Sequence, residues 1–244
     1  MKENSNNKMP YKRILLKLSG ETLLDENGFG ISQHACKQVA GYLHKIKQSG
    51  VELGVVIGGG NIFRGLDLKE SGMPRTPADH MGMLATLLNG IAIQQALISI
   101  GAKACVMSAL ECPKVAEPYN WMKALKYLEE GYIVIFVGGT GNPYFTTDTA
   151  AALRANEIHA DILLKATKVD GIYNKDPLKY PDAKKYDKIS YSQILAEKLQ
   201  VMDATAVTLC SSGQIPIFVF NMKRLLGNNF QEVLTDLSHG TLVT

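Results

Sequence analysis

Two lysines, two glycine turns and a few hydroxyl and carboxylate side chains carry the chemistry legible in this sequence. Lys17 ends the apolar run Ile14-Leu15-Leu16 and is followed at once by Leu18-Ser19-Gly20. Lys165 repeats the theme after Asp161-Ile162-Leu163-Leu164, again at the end of a strand. An ammonium group in an apolar strand is costly to bury without an anion, which favours a ligand-facing role over a surface lysine beside a turn. The first glycine turn, Gly58-Gly59-Gly60-Asn61-Ile62-Phe63-Arg64-Gly65, follows the β-branched run Val51-Glu52-Leu53-Gly54-Val55-Val56-Ile57. Three successive glycines remove every Cβ, so a bulky anion can approach the backbone N–H groups, and the planar fork of Arg64 suits phosphate oxygens. A tight turn that needs glycine for shape alone is the plainer alternative; strand, glycines and arginine together favour phosphate. The spacing matches neither a Walker A loop nor a G-x-G-x-x-G fingerprint.

The second turn, Gly138-Gly139-Thr140-Gly141-Asn142-Pro143-Tyr144-Phe145-Thr146-Thr147-Asp148, follows the buried run Tyr132–Val137 and is dense in hydroxyl and amide groups. Thr146 or Thr147 can cap the helix that begins at Asp148 and turn its positive end to the loop. Two phosphate-bearing ligands meeting tail to tail would use both turns and both lysines. Phosphoryl transfer asks mainly for positioning and charge neutralisation. Lys17 and Lys165 can neutralise the moving group from opposite sides, Asp148 can hold the lysines, and Asp203 can do the same or orient magnesium. Both aspartates can equally be helix caps. Asp79 opens a long helix to Ile100, where it can cap free N–H groups or accept from a sugar hydroxyl; the sequence leaves both open. No carboxylate cage for a metal is visible, so magnesium is expected to arrive with the nucleotide and keep several waters.

The elements that must position these groups alternate strand and helix from Lys12 to the last strand, Ile215–Phe220, in which Pro216 implies a place near the first residue or at a sheet edge. The pattern predicts an α/β fold: a three-layer αβα sandwich with a mainly parallel central sheet and helices on both faces. Residues 1–10 read as a polar, disordered lead-in and 11–244 as a single domain. Leu66–Ala78, with Gly72, Pro74 and Pro77, reads as a loop, and a short helix is expected over 229–234. The net charge of +3 gives no basic stripe for nucleic acid. Cys36, Cys105, Cys112 and Cys210 are scattered, with no metal or disulfide spacing, as in a reducing cytoplasm. The most apolar helix, Met81 to Ile100, is interrupted by Asn89, Gln94 and Gln95 and reads as a core or interface helix, not a membrane span.

End to end, from Tyr11–Glu21 to Gly240–Thr244, the chain resembles the bacterial uridylate (UMP) kinases of the amino-acid-kinase superfamily. The blocks that carry the resemblance are Gly58–Gly65, Asp79–Thr86, Thr140–Asp148, and Lys165–Asp170 with Asp176-Pro177. The resemblance implies transfer of the γ-phosphoryl of ATP to UMP, with magnesium, in cytoplasmic pyrimidine nucleotide (CTP) biosynthesis. It implies ATP contacts from Lys17, Leu18, Ser19, Gly20, Gly60, Arg64, Thr167, Tyr173 and Asp176. It implies UMP contacts from Gly59, Asp79, Thr140, Gly141, Asn142, Pro143, Tyr144, Phe145, Thr146 and Thr147. A homohexamer and inhibition by UTP, which carries the same base as UMP, are further implications. The effector region around Gln94, Ile98, Cys105 and Tyr132 is poor in basic side chains, which argues against strong activation by GTP.

Three rivals make different demands. A kinase acting on a carboxylate or carbamate would need arginine or amide partners in place of the Thr140 block. A nucleotide- or oxyanion-binding storage protein would be expected to lack one of the lysines. A nucleic-acid-binding regulator would need a basic face.

Overall fold

Alternation with period two decides the central sheet. In β1 (Arg13–Leu18), Ile14, Leu16 and Leu18 join one core, while Leu15 joins the core on the other face. The same split runs through β2 (Glu52–Ile57), where Leu53, Val55 and Ile57 oppose Val56. Strands covered on both faces need continuous apolar runs, and these have them. The computed structural model describes residues 10–24, 28–63, 72–199, 201–226, 233 and 237–244. The expected N-terminal lead-in and Arg64 lie outside them, as does the expected 229–234 helix apart from Val233.

In chain order, α1 (Gln33–Gln48) precedes β2, and α2 (Arg75–Ser99) follows it. Next come β3 (Ala104–Ser108), β4 (Glu117–Pro118), α3 (Trp121–Glu129), β5 (Ile133–Val137), α4 (Thr147–Glu157) and β6 (Ile162–Thr167). The short strands β7 (Ile172–Tyr173), β8 (Lys185–Tyr186) and β9 (Lys188–Ile189) precede α5 (Tyr191–Ala196) and α6 (Ala204–Ser212). β10 (Ile217–Asn221), α7 (Lys223–Leu226) and β11 (Gly240–Val243) complete the described chain. The sheet runs β4-β3-β5-β2-β1-β6-β10-β11-β9, and β7 pairs with β8 separately. Every pair in the large sheet is parallel except β10 with β11. α1 and α2 cover the face of Ile14 and Leu16; α3, α4, α5 and α6 cover the face of Leu15.

Several boundaries differ from the sequence reading. α2 begins at Arg75, not Asp79, so the expected loop over 66–78 ends at Pro74. Pro77 is the third residue of the helix, where a missing N–H removes no intrahelical bond. Asp79 therefore lies in the second turn and caps nothing. β6 runs on to Thr167, which pairs with Asn221, so Lys165 lies inside the strand rather than at its end. The strand β10 begins at Ile217, not Ile215, so Pro216 sits next to its first residue, as expected, and β10 lies between β6 and β11 rather than at a sheet edge. The C-terminal tail is a strand, with Leu242 opposite Phe218. By length and composition alone α2 could cross a membrane, but half of its most apolar stretch is buried inside the protein, as in a core helix.

Candidate active site

Register brings Lys17 and Lys165 together. β1 and β6 are neighbours, and the two lysines are direct partners across them. α4 lies over the same face, and Asp148 in its first turn sets its carboxylate between them. Lys17 Nζ lies 2.7 Å from Asp148 Oδ1 in an ion pair. Lys165 Nζ donates to Oδ2 at 2.5 Å and also to the Val201 carbonyl. All three side chains are nearly buried, at 13%, 11% and 14% exposure. Burial works to raise the Asp148 carboxyl, but the two ammonium groups outweigh it and hold the group below the usual carboxylate value. Burial pushes the Lys165 ammonium below its usual value; Asp148 opposes that shift and Lys17 adds to it. Two cations around one anion leave this buried point with an excess positive charge, which suits a phosphoryl group.

Hydroxyl caps aim the carboxylate. Thr146 caps α4 by accepting from the Asp148 and Thr149 N–H groups at 3.0 and 3.4 Å. Asp203 caps α6 through Oδ1, which accepts from Ala206 N–H at 2.9 Å. Its Oδ2 accepts the hydroxyls of Thr146 (2.5 Å) and Thr149 (2.8 Å). Asp203 thus ties the starts of α4 and α6 together. Its charge also acts to raise Lys165 from a distance.

Two clefts flank the lysine pair. The first, about 150 Å³, is lined by Gly59, Gly60, Asp79, Thr140, Asn142, Phe145, Thr146 and Thr147, with Phe63, Ala78, Gly82, Met83, Thr86 and Gly139. Gly141, Pro143 and Tyr144 shape the turn behind it and are not among its lining residues. Tyr144 has φ of 73°, in the left-handed region that non-glycine residues avoid. α2 holds it there. Asp79 Oδ2 accepts the Tyr144 N–H at 2.6 Å, Arg75 donates to the Tyr144 carbonyl at 3.2 Å, and the Arg75 guanidinium lies 4.7 Å from the ring centre.

The second cleft, about 630 Å³, is lined by Lys165, Thr167, Tyr173 and Asp176 together with Lys175 and the segment Glu197–Leu199. The Tyr173 hydroxyl donates to Asp170 at 2.5 Å, which, with burial, lifts the phenol to about 12. Asp176 Oδ1 accepts from Leu178 N–H at 3.0 Å. Lys17, Leu18, Ser19 and Gly20, expected on the ATP side, lie at the end of β1 and line neither cleft. Ser19 caps a short 3₁₀ turn by accepting from Glu21 N–H at 3.3 Å, and the Leu18 carbonyl accepts from Gly58 N–H at 3.0 Å. Gly60, expected on the ATP side, lies in the first cleft.

The glycines of the first turn serve close packing as much as ligand approach. A Cβ on Gly59 would stand 2.8 Å from both Ala85 Cβ and the Gly82 carbonyl of α2. One on Gly20 would stand 2.5 Å from the Gly58 carbonyl and from Asn61 Oδ1. Among the described residues, only Gly60 of the triplet has nothing within 4 Å of an added Cβ. In the second turn, Gly138, Gly139 and Gly141 have φ of 76°, 59° and 85°, so there glycine answers backbone conformation. The sequence reading missed Thr149, Thr86 and Val201. Thr149 stands one helical turn after Thr146, a spacing that puts both hydroxyls on one side of α4.

The fold and this lysine pair define a phosphotransferase of the amino-acid-kinase type, and the amino acid kinase family model matches residues 12–221. The chain is 75% identical over 232 residues to the uridylate kinase of Protochlamydia amoebophila (strain UWE25), covering 95% of this chain and 92% of that protein. It is 49% identical over 243 residues to the uridylate kinase of Legionella pneumophila (strain Paris), covering 100% and 98%. The crystal structure of UMP kinase from Bacillus anthracis superposes with a TM-score of 0.90 at 37% identity over 96% of each chain. The chain belongs to the amino acid kinase family and, within it, to the uridylate kinases.

Proposed function

We propose that the chain transfers the γ-phosphoryl group of ATP to UMP, giving ADP and UDP for pyrimidine nucleotide synthesis, with the clefts on either side of Lys17 and Lys165 taking the two nucleotides. The observation that carries the reading is the Lys17–Asp148–Lys165 cluster between two clefts of unequal size. The larger cleft, beside Tyr173 and Asp176, takes ATP. The smaller, between Asp79 and the Thr140–Thr147 turn, takes UMP. As the phosphoryl group moves, the two ammonium groups neutralise its oxygens from adjacent strands. Asp148 keeps both lysines in place, and Asp203 keeps Asp148's helix in place through Thr146 and Thr149. Lys17 to Gly20, Gly60 and Arg64 would bear on the phosphates between the clefts.

The Asp148 carboxylate is ion-paired to two ammonium groups, and both Asp203 oxygens accept from protein groups. That donor set fits magnesium carried on the triphosphate and its own waters. UTP would compete at the UMP cleft through the shared base. Free thiols at Cys36, Cys105, Cys112 and Cys210 fit a reducing, cytoplasmic setting. The exposed stripe Met81, Leu84, Leu88 and Ile98 on α2 supports assembly with further copies toward a hexamer. Light scattering coupled to size exclusion tests that, a monomer at working concentration ruling it out.

The function itself is tested by ADP release from ATP and magnesium against UMP, CMP, dUMP, AMP, GMP, N-acetylglutamate, aspartate and carbamate. Turnover with UMP should exceed all others. Preference for a carboxylate or carbamate would reassign the first cleft.

A further inference from the structure

The inner side of α2 carries two fully buried polar side chains, Thr86 at 2% and Asn89 at 0% exposure. Spaced three apart, they stand one above the other on the helix. Each is fastened to a different glycine turn. Asn89 Nδ2 donates to the Gly58 carbonyl at 2.7 Å and to Asn61 Oδ1 at 2.7 Å. Asn61 returns a bond to Asn89 Oδ1 at 2.9 Å and donates to the Gly30 carbonyl at 2.8 Å. Thr86 Oγ1 accepts the Gly138 N–H at 2.8 Å while donating to the Met83 carbonyl at 2.7 Å.

A peptide unit is planar, so holding one end of it aims the other. Asn89 holds the Gly58 carbonyl and so sets the direction of the Gly59 N–H, at the wall of the first cleft. Thr86 holds the Gly138 N–H and so sets the start of the turn that carries Thr140 to Thr147. Glycine turns have little side-chain packing to fix them, and backbone freedom is greatest there. Thr86 itself lines the first cleft, whereas neither Asn61 nor Asn89 lines either cleft. An apolar pair of similar shape would strip the Gly58 and Gly30 carbonyls and the Gly138 N–H of these partners, so the side chains serve the two turns as well as the packing.

We propose that Asn89 and Thr86 are positioning residues for the acceptor nucleotide, each orienting one glycine turn of the first cleft from a shared turn of α2. The inference rests on the reading that UMP occupies that cleft. Loss of either bond loosens one wall of the acceptor site and leaves the ATP cleft, built from β6 and the loop after it, unaltered.

The test compares Asn89→Ala, Thr86→Val and Thr86→Ser, reading the KM for UMP, kcat, and ADP affinity by calorimetry. Asn89→Ala and Thr86→Val should each lower kcat/KM for UMP about tenfold or more, as losing one ordering hydrogen bond implies. ADP affinity should stay within about twofold. Thr86→Ser keeps the hydroxyl and should match the wild type. Thr86→Val preserves volume, so it decides the matter even if Asn89→Ala does not fold. Wild-type UMP kinetics in Thr86→Val, or an equal loss of ADP affinity, overturns the proposal. A wild-type protein that turns over some other acceptor would instead overturn the UMP reading, and the same variants assayed on that acceptor would still decide the role of α2.

Discussion

Lys17 and Lys165 are direct cross-strand partners on β1 and β6, and Asp148 of α4 lies between their ammonium groups. Like charges on paired strands repel. The pair persists because one buried carboxylate serves both, and the cluster as a whole remains positive, poised for an anion.

If the lysines act as a unit on the moving phosphoryl, neither can be spared. Lys165→Ala and Lys17→Ala should each lower kcat by about 100- to 1000-fold. UMP binding should persist, since neither lysine lines the first cleft. The double variant should lose less than the product of the two losses, because groups sharing one partner are not additive. Single-turnover kinetics with separate equilibrium binding would check this; undiminished turnover in either single variant removes that lysine from the mechanism.

The pH dependence follows from the same three groups. Lys165 acts as an ammonium, and burial holds it below the ordinary lysine value of 10.5, so kcat should fall on an alkaline limb below that value. Asp148 is the opposing influence. Asp148→Asn removes it, the Lys165 value falls further, and the alkaline limb of the residual activity should move to lower pH. The Asp148 carboxyl itself is held below its ordinary 3.8. Its contribution to stability is complete above that value and is lost as pH falls through the folded value. Urea melts of wild type and Asp148→Asn should therefore converge in strong acid. An unmoved alkaline limb would show that Lys165 is not the titrating group.

Asp79 separates binding from folding cleanly, because it caps nothing. Asp79→Asn keeps its shape in the second turn of α2 and weakens the charged acceptor of the Tyr144 N–H. The KM for UMP should rise about tenfold or more, with the loss of a hydrogen bond to a charged group as its measure. Helix content by circular dichroism should be unchanged. A variant that loses helix content while keeping its KM would return Asp79 to a structural role.

The lysine in an apolar run, the glycine turns and the Thr146 cap were legible in the sequence because each signal is local. A cap needs only a hydroxyl two or three residues before the N–H it accepts from, as Thr146 has. The Lys17–Lys165 pairing was not legible, because the register of β1 on β6 joins residues far apart in the chain. Asp203's link to Thr146 and Thr149 is equally nonlocal. The start of α2 was misread because Pro74 and Pro77 look alike in sequence, although one precedes the helix and the other sits harmlessly in its first turn. β11 carries four residues of weak strand signal and is a strand because β10 offers it an edge.

Neighbouring glycines should respond in opposite ways to the same substitution. In Gly59→Ala the new methyl would meet Ala85 Cβ and the Gly82 carbonyl at 2.8 Å, and both belong to a helix that cannot give locally. α2 must shift, at a cost of about 1–3 kcal/mol, or a fall of roughly 2–12 °C in melting temperature for a chain of this size. In Gly60→Ala the methyl meets nothing within 4 Å among the described residues, and the backbone is outside the left-handed region. That variant should melt with the wild type. It should still lose activity, because the methyl stands in the cleft where a phosphate would approach the backbone. Differential scanning calorimetry alongside the ADP-release assay reads both at once. A Gly60→Ala protein with full activity would mean that no ligand comes close to this turn, and the phosphate-binding reading of the triplet would fall.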